Sequence, residues 1–201
     1  METVLVLDTS KIQNYLVNKD FSLLVDHKNE ILQSIYDNYK FLIRDEIEED
    51  LNYRQIIPYC LLKYEGRYVL FERLKKQSEV RLHSKLSLGA GGHINNQDVT
   101  NEPSKIIENC IKRELDEEIL VNYDMTKDIT YVGVINDALS EVSMSHLGLL
   151  FEINLRDGDF RVREKNKMVA QWVTAEDIKS KYELLENWSK ITFDQHINIT
   201  E

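Results

Sequence analysis

Six consecutive residues, Arg113-Glu114-Leu115-Asp116-Glu117-Glu118, concentrate the chemistry of this 201-residue chain. They close a segment from about Pro103 to Leu120 whose periodicity predicts a helix, with Thr100 or Asn101 as candidate caps and Pro103 in the first turn. At about 100° per residue, Ile106, Ile107, Cys110 and Ile111 share one face, and Asn109, Lys112 and Asp116 the opposite one. One turn further, the apolar face is occupied by Glu114, Glu117 and Glu118. Carboxylates three and four residues apart repel by a few tenths of a kcal/mol even in water. Partial burial adds a desolvation cost, and the C-terminal end of a helix is unfavourable to anions. A cation removes these penalties. Three convergent carboxylates suit a hard ion such as Mg²⁺, which takes oxygen ligands and keeps several waters. The plainer alternative is a solvated acidic face, with Arg113 an exposed side chain rather than a clamp on one carboxylate.

The surrounding elements read as strands with helices at both ends. Residues 3–7 form a short strand, a brief helix capped by Thr9 or Ser10 runs to Leu16, and His27–Tyr39 is helical. Arg44–Asn52 is acidic and polar and reads as a seam. Ile56–Tyr64 and Arg67–Arg73 are apolar runs around Glu65-Gly66, the turn of a hairpin. Leu86–Leu88 leads into Gly89-Ala90-Gly91-Gly92. Strands follow at Ile129–Ile135, His146–Leu155 and Ala170–Val173, then helices at Ala175–Lys181, capped by Thr174, and Leu184–Ile197. Strands with one long internal helix and terminal helices predict a mixed α/β sandwich rather than a doubly wound parallel sheet.

Composition narrows the function. The apolar fraction of 42% and charged fraction of 30% are those of a soluble globular protein. No apolar run approaches the roughly 20 residues of a membrane span. Met1-Glu2-Thr3 opens no signal peptide. Cys60 and Cys110 stand alone in apolar patterns, as small core residues of a reducing, cytoplasmic protein do. A net charge of −10 argues against a nucleic-acid partner. It is compatible with a small phosphorylated substrate if divalent ions stand between the two sets of negative charge.

The acidic helix also resembles a known pattern, the Nudix box, written G-x5-E-x7-R-E-U-x-E-E-x-G-U with U aliphatic. Arg113, Glu114, Leu115, Glu117 and Glu118 match its core, Gly92 its leading glycine and Val121 its last aliphatic position. Twenty residues separate Gly92 from Arg113 where the pattern has 13, so the loop is seven longer. Lys105 stands at the position of the early glutamate, for which Glu102 and Glu108 are candidate substitutes, and Leu120 replaces the late glycine. The likeness continues through Tyr53–Tyr59, Leu86–Asn95, His146–Leu149 and Gln171–Thr174, which are similar to a Nudix subgroup described only as predicted phosphoesterases. It covers about residues 53–180.

This resemblance implies a Nudix-type α/β/α sandwich with a mixed sheet over 51–201, preceded by a small α/β extension over 1–50. It implies a hydrolase that uses Mg²⁺ or Mn²⁺ to cleave a diphosphate linkage in a nucleoside diphosphate joined to another group. Glu114, Glu117 and Glu118 would bind metal, with the Gly91 carbonyl at the mouth of the helix and Arg113 holding a carboxylate. Glu118, or Glu141 in the loop Asp137–Ser145, would order the attacking water; a solvated loop residue is the other reading of Glu141. Arg54, Arg73, Gly92 and His93 are candidate substrate contacts, surface charge being the alternative for the two arginines. His83 and His146 have no metal-type spacing. Two rivals stand: a catalytically silent Nudix-fold module that binds a nucleotide or protein, and an isoprenoid diphosphate isomerase, which would want an active-site cysteine. A homodimer is compatible with the sequence.

Overall fold

The computed structural model describes residues 2–73, 85–121, 124–163 and 168–200. In chain order the elements are β1 (Thr3–Asp8), α1 (Gln13–Leu16), β2 (Phe21–Leu24), α2 (Lys28–Asn38), β3 (Lys40–Ile43), α3 (Arg44–Ile47), β4 (Tyr53–Tyr64), β5 (Arg67–Arg73), β6 (Leu86–Ser87) and β7 (Gly89–Ala90). They continue with α4 (Pro103–Glu118), β8 (Ile119–Leu120), β9 (Ile129–Asp137), α5 (Glu141–Met144), β10 (His146–Asn154), β11 (Arg161–Val162), β12 (Met168–Val173), α6 (Ala175–Ser180) and α7 (Asn187–Thr192). A π-helical turn, Phe193–Ile197, extends α7.

One large mixed sheet runs β12-β5-β4-β10-β9-β2, with β1, β3, β6 and β7 attached beside it. The β4–β10 pair is parallel, from His146 opposite Gln55 to Asn154 opposite Lys63. The other pairs are antiparallel. Because successive strand residues point to opposite faces, β4 and β10 are buried on both sides. Ile56, Cys60, Leu147, Leu149 and Phe151 join Ile107, Ile111 and Leu115 of α4 in one core layer. Tyr59, Leu61 and Leu150 join Ile178 of α6 and Ile191 of α7 in the other. The expected α/β/α sandwich follows from this double burial.

The first fifty residues share that sheet. β1 pairs with β3 and with Tyr53–Gln55 of β4, and β2 pairs with β9. Leu5, Leu7, Ile31 and Ile35 enter the same core layer as α4. Arg44–Asn52, read from its acidity as a seam, instead begins with α3, whose Ile47 packs on Val4 and Val6. The helix α4 starts at Pro103 as its sequence suggests, but its cap position is Glu102 rather than Thr100 or Asn101, and no side chain caps it. Glu65 and Gly66 both adopt positive φ, 47° and 73°, as a two-residue hairpin turn requires. Among the described residues no helix is long and apolar enough to cross a membrane.

Candidate active site

The acidic end of α4 is held by one guanidinium. Arg113 donates from Nε and Nη2 to the two carboxylate oxygens of Asp98, at 2.9 and 2.8 Å. Its Nη2 also donates to the His93 carbonyl at 3.0 Å, and its Nη1 to Glu114 Oε1 at 2.5 Å. Hydrogen bonding to Asp98 holds the guanidinium pKa above its ordinary value against burial, with Glu114 adding to it. Glu114 is mostly buried, and burial pushes its carboxyl pKa up; Arg113 opposes this while Glu117 and Asp98 add to it.

The inward direction deduced for all three glutamates holds for Glu114 but not for Glu117. The Glu117 side chain is 62% exposed, against 15% for Glu114. Glu118 is half-buried. Its charge and that of Glu114 both reach Cys60 on β4, whose thiol pKa is pushed up first by burial and then by these two carboxylates. Cys110 is pushed up likewise, by burial and then Asp98 and Glu114. Both cysteines are buried in the core, away from solvent, which counts against the isomerase reading.

The glycine turn lies directly against this cluster. A Cβ on Gly92 would stand 2.5 Å from the Glu114 carboxyl carbon and from its Oε1. A Cβ on Gly91 would collide with the Pro58 carbonyl. Glycine is required at both positions for close approach. Among the described residues no three acidic, imidazole or thiol groups converge on one metal position. The donors at hand are hard oxygens, and the Gly92 cradle brings the backbone onto Glu114, so the residues fit a hard divalent ion rather than a soft one.

The same turn also borders a cavity of about 390 Å³ under α7, where Gly91, Gly92 and His93 meet Tyr59, His146 and Trp188. His93 and His146 touch through their Nε2 atoms at 3.3 Å. His146 Nδ1 lies 2.6 Å from the Val142 carbonyl, which can only accept, so this nitrogen carries a proton. In the neutral pair His93 therefore donates to His146 Nε2. The sequence marked His146 only as the first residue of the family-like stretch His146–Leu149 and gave its side chain no role; it heads β10, on the face where Gly148 meets Trp188. The cavity wall is tied down by Tyr59, whose hydroxyl lies 2.8 Å from Ser189 Oγ and donates to Glu186 Oε1 at 2.8 Å. Ser87 donates to the same Glu186 oxygen at 2.7 Å.

The remaining candidates separate. Glu141 is exposed in the first turn of α5 rather than in an open loop, while its neighbours Ser140, Val142 and Ser143 line the cavity. Asp137 also lines it, with both oxygens engaged by Leu139 N and Asn187 Nδ2. Arg54 is buried and outside the lining; its Nη1 reaches the His146 carbonyl only at 3.5 Å, and among the described residues its Nε has no partner. Burial lowers its pKa. Arg73 ends β5, and its side chain lies outside the described residues, as does the whole of His83. Of the two substitutes for the early glutamate, Glu102 pairs with Lys105 at 2.8 Å and Glu108 is exposed. The guanidinium is met instead by Asp98.

Comparison with known proteins agrees with this architecture. No family model matches the chain. Protein YmaB of Bacillus subtilis (strain 168) is 35% identical over 168 residues, 82% of this chain and 82% of that protein. The crystal structure of Tm1382, described as a candidate Nudix hydrolase, superposes with a TM-score of 0.79 at 28% identity, over 98% of this chain and 100% of its own. A MutT Nudix hydrolase from Burkholderia pseudomallei shares the fold at TM-score 0.50 and 20% identity, over 71% of this chain and 98% of its own. The sandwich and its acidic helix define a Nudix-type protein. The chain belongs to the Nudix hydrolase superfamily.

Proposed function

We propose that this protein is a divalent-metal-dependent hydrolase that cleaves a diphosphate linkage in a nucleoside diphosphate joined to another group. The observation that carries this reading is the Gly91–His93 turn, which touches Glu114 through Gly92 and also borders the cavity. A substrate seated in the cavity would thus have the acidic helix within reach of its phosphates. Glu114, Glu117 and Glu118, with the Gly91 carbonyl, would hold Mg²⁺ or Mn²⁺, which when bound acidifies water and offsets charge developing on phosphorus oxygens. Arg113 fixes one oxygen of Glu114, leaving the other for the ion. Glu118 or Glu141 orients the attacking water. His93 borders the cavity from the turn and Gly92 lets the backbone approach a substrate there, whereas Arg54 lies buried outside the lining. The residue ranges 1–50 and 51–201 are an extension and a hydrolase domain that share one sheet, the extension supporting the turn where Leu5 N donates to the Ile94 carbonyl at 2.8 Å.

A silent binding module on the same fold is favoured by one observation: Glu117 is exposed, and among the described residues no three groups close on one point. A hydrolysis panel with Mg²⁺ and Mn²⁺ separates the two. It would span nucleoside diphosphate sugars, dinucleoside polyphosphates, dinucleotide cofactors and oxidised nucleotides. Metal-dependent turnover lost in both Glu117→Gln and Glu118→Gln is the expected result. Activity surviving both changes would reject the site, and nucleotide binding without turnover would favour the module.

A further inference from the structure

We propose that Glu186 sets the specificity of the cavity under α7: its unfilled carboxylate oxygen takes hydroxyls of a sugar ring attached to the diphosphate. The inference rests on the hydrolase reading for the diphosphate, and on the cavity alone for the ring. Glu186 lines the cavity from the N-cap position of α7, yet its side chain caps nothing. The carboxylate turns instead to three hydroxyls, and all three meet the same oxygen. Oε1 accepts from Tyr59 at 2.8 Å, from Ser87 at 2.7 Å and from Ser189 at 3.3 Å. No described residue donates to Oε2, which is accessible rather than sealed in the core. A carboxylate that only tied α7 to the sheet would share its donors between both oxygens. Here one oxygen is filled and the other is left open.

The open oxygen is held in a stiff frame. Glu186 N donates to the Leu86 carbonyl at 3.0 Å and Leu88 N donates to Ser189 Oγ at 2.8 Å, so bonds on either side of Ser87 join this segment to α7. The segment then runs into the glycine turn. Ser87 at one end holds Glu186, and Gly92 at the other lies against Glu114. A group recognised by Glu186 and a diphosphate at the acidic helix therefore have fixed relative places. The chemistry of the lining selects the group. An ionised carboxylate only accepts, so its ligand has to donate, and a phosphate is repelled. Asn187 donates from Nδ2 to Asp137 Oδ2 at 3.0 Å, which orients its amide and leaves Oδ1 as a second acceptor. Lys85 and Lys190, also in the lining, only donate. Hydroxyls do both, so a polyhydroxylated ring satisfies this mixture, and Trp188 offers apolar surface to its carbons.

The ring has two sources, the ribose of the nucleoside and the sugar beyond the diphosphate, and the test separates them. Uridine diphosphate glucose is compared with its dideoxyribose analogue and with the methyl ester of uridine diphosphate, which lacks the glucose. Binding to the full chain is read by titration calorimetry with Ca²⁺, which neutralises the phosphates but does not keep the tight octahedral geometry of Mg²⁺. In wild type one truncation should weaken binding about 10- to 100-fold, the effect of losing hydrogen bonds to a charged acceptor. A loss with the dideoxy analogue assigns the cavity to the ribose, and a loss with the methyl ester assigns it to the distal sugar. Glu186→Gln keeps one oxygen for the three hydroxyls and sets an NH₂ donor where Oε2 stood. In that variant the same truncation should cost no more than about threefold, the remainder being the coupling between Glu186 and the ring. Ser87→Ala takes one bond from Oε1 and loosens the carboxylate; it should lower the truncation penalty partway, and it decides if Glu186→Gln fails to fold. A full penalty retained in folded Glu186→Gln, or in Ser87→Ala where that variant stands in, would overturn the assignment and reduce the network to a structural tie. A wild-type chain indifferent to both truncations, or binding none of the three probes, would overturn it too. The hydrolase reading fails separately: a penalty that depends on Glu186, with no metal-dependent turnover across the substrate panel, would keep this assignment and leave the chain a binding module.

Discussion

Gly92→Ala puts the proposed site under direct strain without touching a charged group. The new methyl carbon would stand 2.5 Å from the Glu114 carboxyl carbon and 2.6 Å from Oε2. Carbon atoms rest at about 3.5 Å or more, so the carboxylate must retreat by roughly 1 Å. A shift of that size disturbs the contact from Arg113 Nη1. A displacement of that size at a reacting centre costs about 10²-fold in rate. Breaking one charge-assisted hydrogen bond destabilises by about 1.5–3 kcal/mol. Replacing glycine restricts the unfolded chain and returns about 0.4–1 kcal/mol of this. A net loss of about 0.5–2.6 kcal/mol in stability is expected, beside a fall of about two orders of magnitude in metal-dependent turnover. Urea unfolding and Mn²⁺ affinity, measured on the same preparation, separate the two effects. Gly66→Ala is the control: its φ of +73° strains the backbone, but nothing lies within 4 Å of the new carbon. That variant should lose about 1 kcal/mol and no activity. Wild-type Mn²⁺ affinity and turnover in Gly92→Ala would refute the contact between turn and carboxylate on which the proposed site depends.

Two further outcomes follow from buried polar groups away from the metal. Tyr59→Phe removes the hydroxyl shared by Ser189 and Glu186 beneath the cavity, so thermal or urea unfolding should show a loss of about 1–3 kcal/mol; an unchanged midpoint would mean that the network does not tie α7 to the sheet. Glu152 accepts a hydrogen bond from His196 Nε2 at 2.9 Å, and this bond, helped by Lys63 and opposed by burial, holds its carboxyl pKa below the ordinary value. Such a group stabilises the fold at pH above its unfolded pKa, and the contribution disappears as pH falls through the lowered folded value. Glu152→Gln should therefore flatten the acid limb of a stability–pH curve, and an identical limb in both proteins would count against the pairing.

How far the sequence reached depends on what each pattern measures. The nearly unbroken apolar runs Ile56–Tyr64 and His146–Leu155 mark strands, and the structure buries both of their faces. The short strands Phe21–Leu24 and Lys40–Ile43 carry too few residues for a period to emerge, and they form because β9 and β1 offer edges to pair with. The helical angle of Glu117 was legible, but an angle gives direction and not cover. Ile106, about three turns earlier on the same side, is buried, whereas Glu117 is open to solvent. That difference belongs to the neighbours and cannot be read from the helix. The missing early glutamate shows the same limit. Counting back from Arg113 reaches Lys105, because a count along the chain assumes a loop of fixed length. Counting forward from Gly92 through five intervening residues reaches Asp98, the carboxylate the guanidinium meets, and the seven extra residues lie between Asp98 and Arg113. One signal of this lay in the sequence: Asn95 followed three residues later by Asp98 is the spacing of a capping box, which marks a turn able to hold that carboxylate still. A motif interrupted by an insertion is therefore better counted from both of its ends than from its arginine alone.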